Sequence, residues 1–96
     1  MIQRTLIAEK DLLMDQIART TKDLGNVLRQ ARKAHNLTQA ELASRAGIWQ
    51  STISNIETSA SGAKIDTIFD LLAALDLEIQ IVPRSKMKPG DLENIF

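Results

Sequence analysis

Residues 37–57 read LTQAELASRAGIWQSTISNIE, and this stretch decides the fold. It opens with Thr38-Gln39-Ala40-Glu41, the spacing of a capping box. The Thr38 hydroxyl can accept from the Glu41 amide while the Glu41 side chain returns a bond to the Thr38 amide, so a helix starts at Gln39. Leu42, Ala43 and Ala46 fall on its inner side, and Gly47 follows where a helix stop needs a positive φ. After a short turn a second run, residues 50–57, puts Ile53 and Ile56 on one face. Its other face carries Gln50, Ser51, Ser54 and Asn55, polar but almost without charge.

Working outward, Leu24, Val27, Leu28 and Ala31 recur at helical spacing, with Thr21 as N-cap and Asn36 as a left-handed stop, predicting a helix over 22–35. Downstream, residues 58–62 are a Thr/Ser/Ala/Gly loop. Ile65, Ile68, Phe69, Leu72 and Leu75 then mark the inner face of a further helix ending near Leu75. Beyond Asp76 the period shortens to two, with Leu77, Ile79 and Ile81 alternating with Glu78 and Gln80 ahead of Val82 and Pro83. That is the pattern of a half-buried strand. No second strand is evident, so a symmetric copy of the chain is the simplest source of pairing. The expected fold is mainly all-α: a helix-turn-helix domain of four to five helices at 20–83, with one C-terminal β-strand pairing across a homodimer.

Two flanking segments complete the chain. Residues 1–19 hold Leu6, Leu13, Met14 and Ile17 at near-helical spacing, an extension expected to be helical. Residues 84–96 carry Lys86, Lys88, Pro89 and Gly90, the composition of a flexible tail, and end on Leu92, Ile95 and Phe96. That apolar tip suits either a docking peptide or a handle for proteolysis.

Composition narrows the function. A chain of 96 residues limits the core to one domain. No apolar run approaches the ~20 residues of a membrane span, and the acidic Glu9 and Asp11 behind the first apolar patch do not fit a secretory signal; a cytoplasmic protein is expected. There is no cysteine and only one histidine, His35, so no metal site or cofactor is expected. Serines and aspartates exist, but no spacing places a nucleophile, base and orienting group on a recognisable turn, so an enzyme is not expected. Twelve basic residues balance twelve acidic ones, yet the distribution is uneven. Arg19, Lys22, Arg29, Arg32, Lys33 and Arg45 face only Asp23 and Glu41 between residues 19 and 45, while Asp66, Asp70, Asp76 and Glu78 stand unopposed between 66 and 78. A polyanion is expected at the first segment and not at the second.

Two short helices joined through a glycine-containing turn, the second presenting amides and hydroxyls outward, match the helix-turn-helix that reads DNA. Such side chains donate and accept toward base edges in the major groove, and Gln and Asn suit adenine. Residues 22–76 resemble the Xre/Cro helix-turn-helix family, a lambda-repressor-like fold. The wider stretch 20–82, including the passage into LEIQIV, is similar to the HipB antitoxins. This resemblance implies a homodimer on palindromic double-stranded operator DNA, repression of its own promoter, and capture of a HipA-like protein kinase toxin.

Carried over by the same resemblance, Thr38 and Gln39 stand where a helix start meets a phosphate. Gln50, Ser51, Thr52, Ser54 and Asn55 take the places of base-contacting and neighbouring phosphate-contacting side chains, with Gln50 foremost in direct readout. Ser61 and Lys64 match positions that reach the DNA backbone. Arg32 and Glu57 match a partly buried salt bridge tying the first helix to the recognition helix. Leu77, Ile79 and Ile81 correspond to the dimer strand. Trp49 departs from the small, polar or basic residue usual in the turn; it either touches a thymine methyl or sugar or covers the end of the core, and packing is the favoured use. Arg29, Lys33 and Arg45 are read chiefly as solvated helix faces, with phosphate contact as the alternative. Two rivals stay open: an autonomous regulator without a toxin, and a helix-turn-helix adaptor that does not bind DNA.

Overall fold

The computed structural model describes residues 16–84, which form four helices. These are α1 (Thr21–Ala34), α2 (Gln39–Ala46), α3 (Gln50–Thr58) and α4 (Ile65–Ala74). The expectations for residues 1–15 and 85–96 lie outside the described residues, and 16–19 precede the first helix without joining one.

Local sequence chemistry sets the helix ends. Thr20, not Thr21, caps α1: its hydroxyl accepts from the Asp23 amide at 3.0 Å. Two adjacent threonines compete for the cap, and Asp23 decides between them. Its carboxylate accepts from the Arg19 amide at 3.1 Å, one residue ahead of the cap. Asn36 takes the left-handed conformation after α1, with φ 58°, and Asp76 does the same after α4, with φ 59°. The Thr38–Glu41 capping box is complete in both directions, and Gly47 ends α2 at φ 70°.

The core lies where the four helices meet. Leu28, Ala31, Leu42, Ala43, Ile53 and Ile56 are buried with Ala60, Ile68, Leu71, Leu72 and Leu75. The inner face of α4 differs from the expected one. It is carried by Ile68, Leu71 and Leu72, with Leu75 just beyond, whereas Ile65 and Phe69 are 63% and 52% exposed. Three- and four-residue steps through 68, 71, 72 and 75 trace one stripe, and 65 and 69 sit on its edge, turned to solvent.

Gly25 lets α1 approach α3 closely. A Cβ there would overlap the carbonyl oxygen of Ile56 and press on that of Glu57. At the same crossing, the Ala60 amide donates to the Thr21 carbonyl at 3.0 Å. His35 Nε2 meets the Leu75 carbonyl at 2.9 Å, tying the ends of α1 and α4. After α4 the Leu77 amide donates to the Leu72 carbonyl at 2.8 Å and Leu77 is half-buried. From Glu78 to Arg84 every residue is exposed, and no strand forms among the described residues of the single chain. None of the described helices is long and apolar enough to cross a membrane.

Candidate nucleic-acid interface

α2 and α3 are held at a fixed angle by one buried charge network. The Arg32 Nε donates to Glu57 Oε2 at 2.6 Å and Nη2 donates to Oε1 at 3.0 Å, a bidentate pairing with both side chains at or below 10% exposure. Arg32 Nη1 donates to the Leu37 carbonyl at 2.7 Å, which reaches the turn before α2. Gln39 Nε2 then donates to Glu57 Oε1 at 3.1 Å. Glu57 therefore sits at the junction of three elements, and no buried side-chain polar atom among the described residues lacks a partner. An uncompensated charge here would cost several kcal/mol, so completeness of the network is what makes it tolerable. Gln39 has one amide proton in this bond, leaving its second proton and its oxygen for another partner.

The opposite side of α3 is open. Gln50, Ser51, Ser54 and Asn55 are exposed and Thr52 is half-exposed. α3 has no side-chain cap and no acidic residue in its first turn, so its N-terminal amides keep their positive potential. Trp49 occupies the N-cap position in extended backbone, φ −67° and ψ 140°, and is 81% exposed. The favoured packing use of Trp49 is thus corrected: Ile48 is the turn residue packed on the core, and Trp49 projects beyond it at the tip of α3.

Helical spacing divides the α3 side chains between two flanks. Thr52, Asn55 and Ser59 line an open cleft shared with Ser61, Lys64 and Thr67. On the other flank Ser54 and Thr58 line a second cleft with Asn26, Arg29 and Gln39, floored by Glu57. Ser61 and Lys64 are exposed, so the loop residues named from sequence do stand beside α3. Sequence reasoning passed over Asn26, Thr58 and Gly25; a lone glycine inside an otherwise helical pattern was the available signal for the last.

Thr38 is exposed at the start of α2, where its amide donates to Glu41 Oε1 at 2.9 Å. That bond, then the Thr38 hydroxyl and more weakly Arg45, holds the Glu41 carboxyl below the usual carboxylate range. A lowered value means the capping contribution is present while Glu41 is ionised and is lost as pH falls through it.

A helix-turn-helix family model matches residues 28–82. The chain is 33% identical over 70 residues to antitoxin HipB of Escherichia coli K12, covering 73% of this chain and 80% of that protein. It is 38% identical over 71 residues to the HTH-type transcriptional regulator y4dL of Sinorhizobium fredii, 74% of this chain but only 36% of that longer protein. Among solved structures, a HipB–O4 20mer complex superposes with a TM-score of 0.68 at 31% identity, covering 73% of this chain and 99% of that one. A HipA–HipB–O2–O3 complex gives the same values.

Proposed function

The chain belongs to the helix-turn-helix family of DNA-binding regulators, in its HipB-like branch, and on that premise we propose that it is a repressor-antitoxin. In this reading it binds a palindromic operator as a homodimer and holds a HipA-like kinase toxin inactive. The observation that carries the DNA arm is the outer face of α3: donors and acceptors without net charge, backed by a salt bridge that fixes the helix angle. Gln50 stands at the leading end of that face, beside Trp49, and is assigned direct base readout. Ser51, Thr52, Ser54 and Asn55 complete the contact, while Thr38, Gln39, Ser61 and Lys64 reach phosphates.

Support for a homodimer comes from what the described residues leave uncovered. Ile79, Ile81 and Val82 are exposed at the end of the domain, as are Ile65 and Phe69 on α4. A strand over 77–82 paired with its symmetry mate through Leu77, Ile79 and Ile81 would cover the first group. Two recognition helices would then enter successive major grooves about 34–36 Å apart. Support for the toxin partner is the likeness to HipB, which is solved in a HipA–HipB–O2–O3 complex. A kinase-like product of the neighbouring reading frame that co-purifies with the chain separates this reading from an autonomous regulator.

The deciding experiment is selection of duplexes from a randomised pool, followed by titration of the unaltered chain and Gln50→Ala. The unaltered chain is expected to enrich a palindrome, and Gln50→Ala to lose about 1–3 kcal/mol and relax one base pair per half-site. Enrichment of no sequence, or an unchanged preference in Gln50→Ala, would overturn the assignment.

A further inference from the structure

We propose that the cleft between α1 and α3 seats a phosphate of the DNA backbone, with Arg29 as its cation and Asn26, Gln39 and Ser54 as further donors. This rests on the DNA-reading role argued above and extends the interface to α1. The site is an open, polar cleft of about 340 Å³. Its only acidic member, Glu57, forms the floor, and both of its oxygens are engaged, one by Arg32 Nε and the other by Arg32 Nη2 and Gln39 Nε2. An anion entering the cleft therefore meets a neutralised carboxylate. The rim offers the Arg29 guanidinium, the Asn26 amide, the second Gln39 proton and the Ser54 hydroxyl, whereas Thr58 already donates to the Ser54 carbonyl at 3.1 Å. Arg29 is exposed and makes no ion pair with any described residue.

A second observation comes from α1 as a whole. Lys22, Asn26, Arg29 and Lys33 follow one another at steps of four, three and four, and all four are exposed. They form one polar stripe, with three cations raising the local positive potential around the cleft. Asp23, the acidic residue nearest in sequence, has its carboxylate engaged by the Arg19 amide.

The position matters as much as the chemistry. A helix in the major groove has a phosphate backbone on each side. The cleft of Thr52, Asn55, Ser61 and Lys64 lies on one flank of α3, and the cleft of Asn26, Arg29 and Ser54 on the other. Both walls of the groove are thereby held, which fixes the depth and tilt of α3 while leaving sequence choice to its outer face.

The test compares the unaltered chain, Arg29→Ala and Arg29→Lys on a selected duplex across a salt series. Arg29→Ala is expected to bind roughly tenfold more weakly on selected and unrelated duplexes alike, with unchanged base preference and unchanged melting temperature. The slope of log affinity against log salt should fall by about 0.9 per protomer, and Arg29→Lys should restore it. A duplex with one neutral methylphosphonate should weaken the unaltered chain and leave Arg29→Ala unaffected at one position per half-site. Unchanged slope and affinity in Arg29→Ala would overturn the proposal and leave the stripe to an acidic protein partner. A changed base preference would also overturn it, placing Arg29 among the base readers. Failure of the unaltered chain to select any duplex would remove the DNA-reading role itself.

Discussion

The rear of α3 and the segment from Glu78 to Arg84 are opposites. Behind α3, Glu57 joins α1, α2 and α3 through bonds to Arg32 and Gln39, and Gly25 lets two backbones nearly touch. Among the described residues every buried side-chain polar atom has its partner. Beyond Leu77, apolar side chains alternate with polar ones and none of the described residues covers them: Ile81 is 97% exposed. The difference teaches which part of the described structure is closed on itself and which is left open. The helix-turn-helix is packed within the described part of one chain, whereas the C-terminal segment leaves its alternating apolar side chains exposed, as the proposed dimer would require.

The most severe way to break this contrast is to remove one side of the buried charge pair. Glu57→Ala leaves Arg32 buried without its carboxylate and frees Gln39, and should cost about 3–5 kcal/mol in denaturant unfolding. The double variant Arg32→Met with Glu57→Leu should recover most of that loss, since both charges leave together. If the single variant cost less than about 1 kcal/mol, the network would not be what sets the helix angle. A smaller effect is expected at the backbone crossing. Gly25→Ala gains helix propensity but forces α1 off α3, for a net loss of about 1–3 kcal/mol by thermal melting. A more stable Gly25→Ala protein would show that the crossing has slack. Least of all should change when the other region is altered. Ile79→Asp with Ile81→Asp should leave unfolding of the single chain within about 0.5 kcal/mol, yet abolish the dimer in sedimentation. A surviving dimer would place the interface elsewhere and dissolve the contrast.

How much of this was legible depended on distance along the chain. The Thr38–Glu41 box, the Gly47 stop and the Asn36 turn each rest on residues within four positions, and all three stand in the structure as read. The α1 cap was misplaced by one because two threonines were equally good and the Asp23 amide bonds the Thr20 hydroxyl while the Asp23 carboxylate accepts from the Arg19 amide. On α4, apolar type pointed to Ile65 and Phe69, but type does not tell which apolar residues lie on the stripe the neighbours can reach. Leu71 is buried and they are not. Trp49 failed for the same reason: an indole is attracted to a core only if the backbone aims it there. The pairing of Arg32 with Glu57 spans 25 positions and came from resemblance to a family rather than from spacing. The link of Gln39 to the same carboxylate, like the cleft floored by Glu57, exists only once three helices have been brought together.

Trp49 has an optical consequence. It is the single tryptophan of a chain that has no tyrosine, so emission excited at wavelengths beyond phenylalanine absorption originates at one point, the solvent-facing tip of α3. Unfolding moves that indole from water to water and should barely shift its spectrum, while a duplex or a protein pressed against the tip changes its surroundings at once. The protein carries its own contact sensor, blind to its stability and tuned to its occupancy.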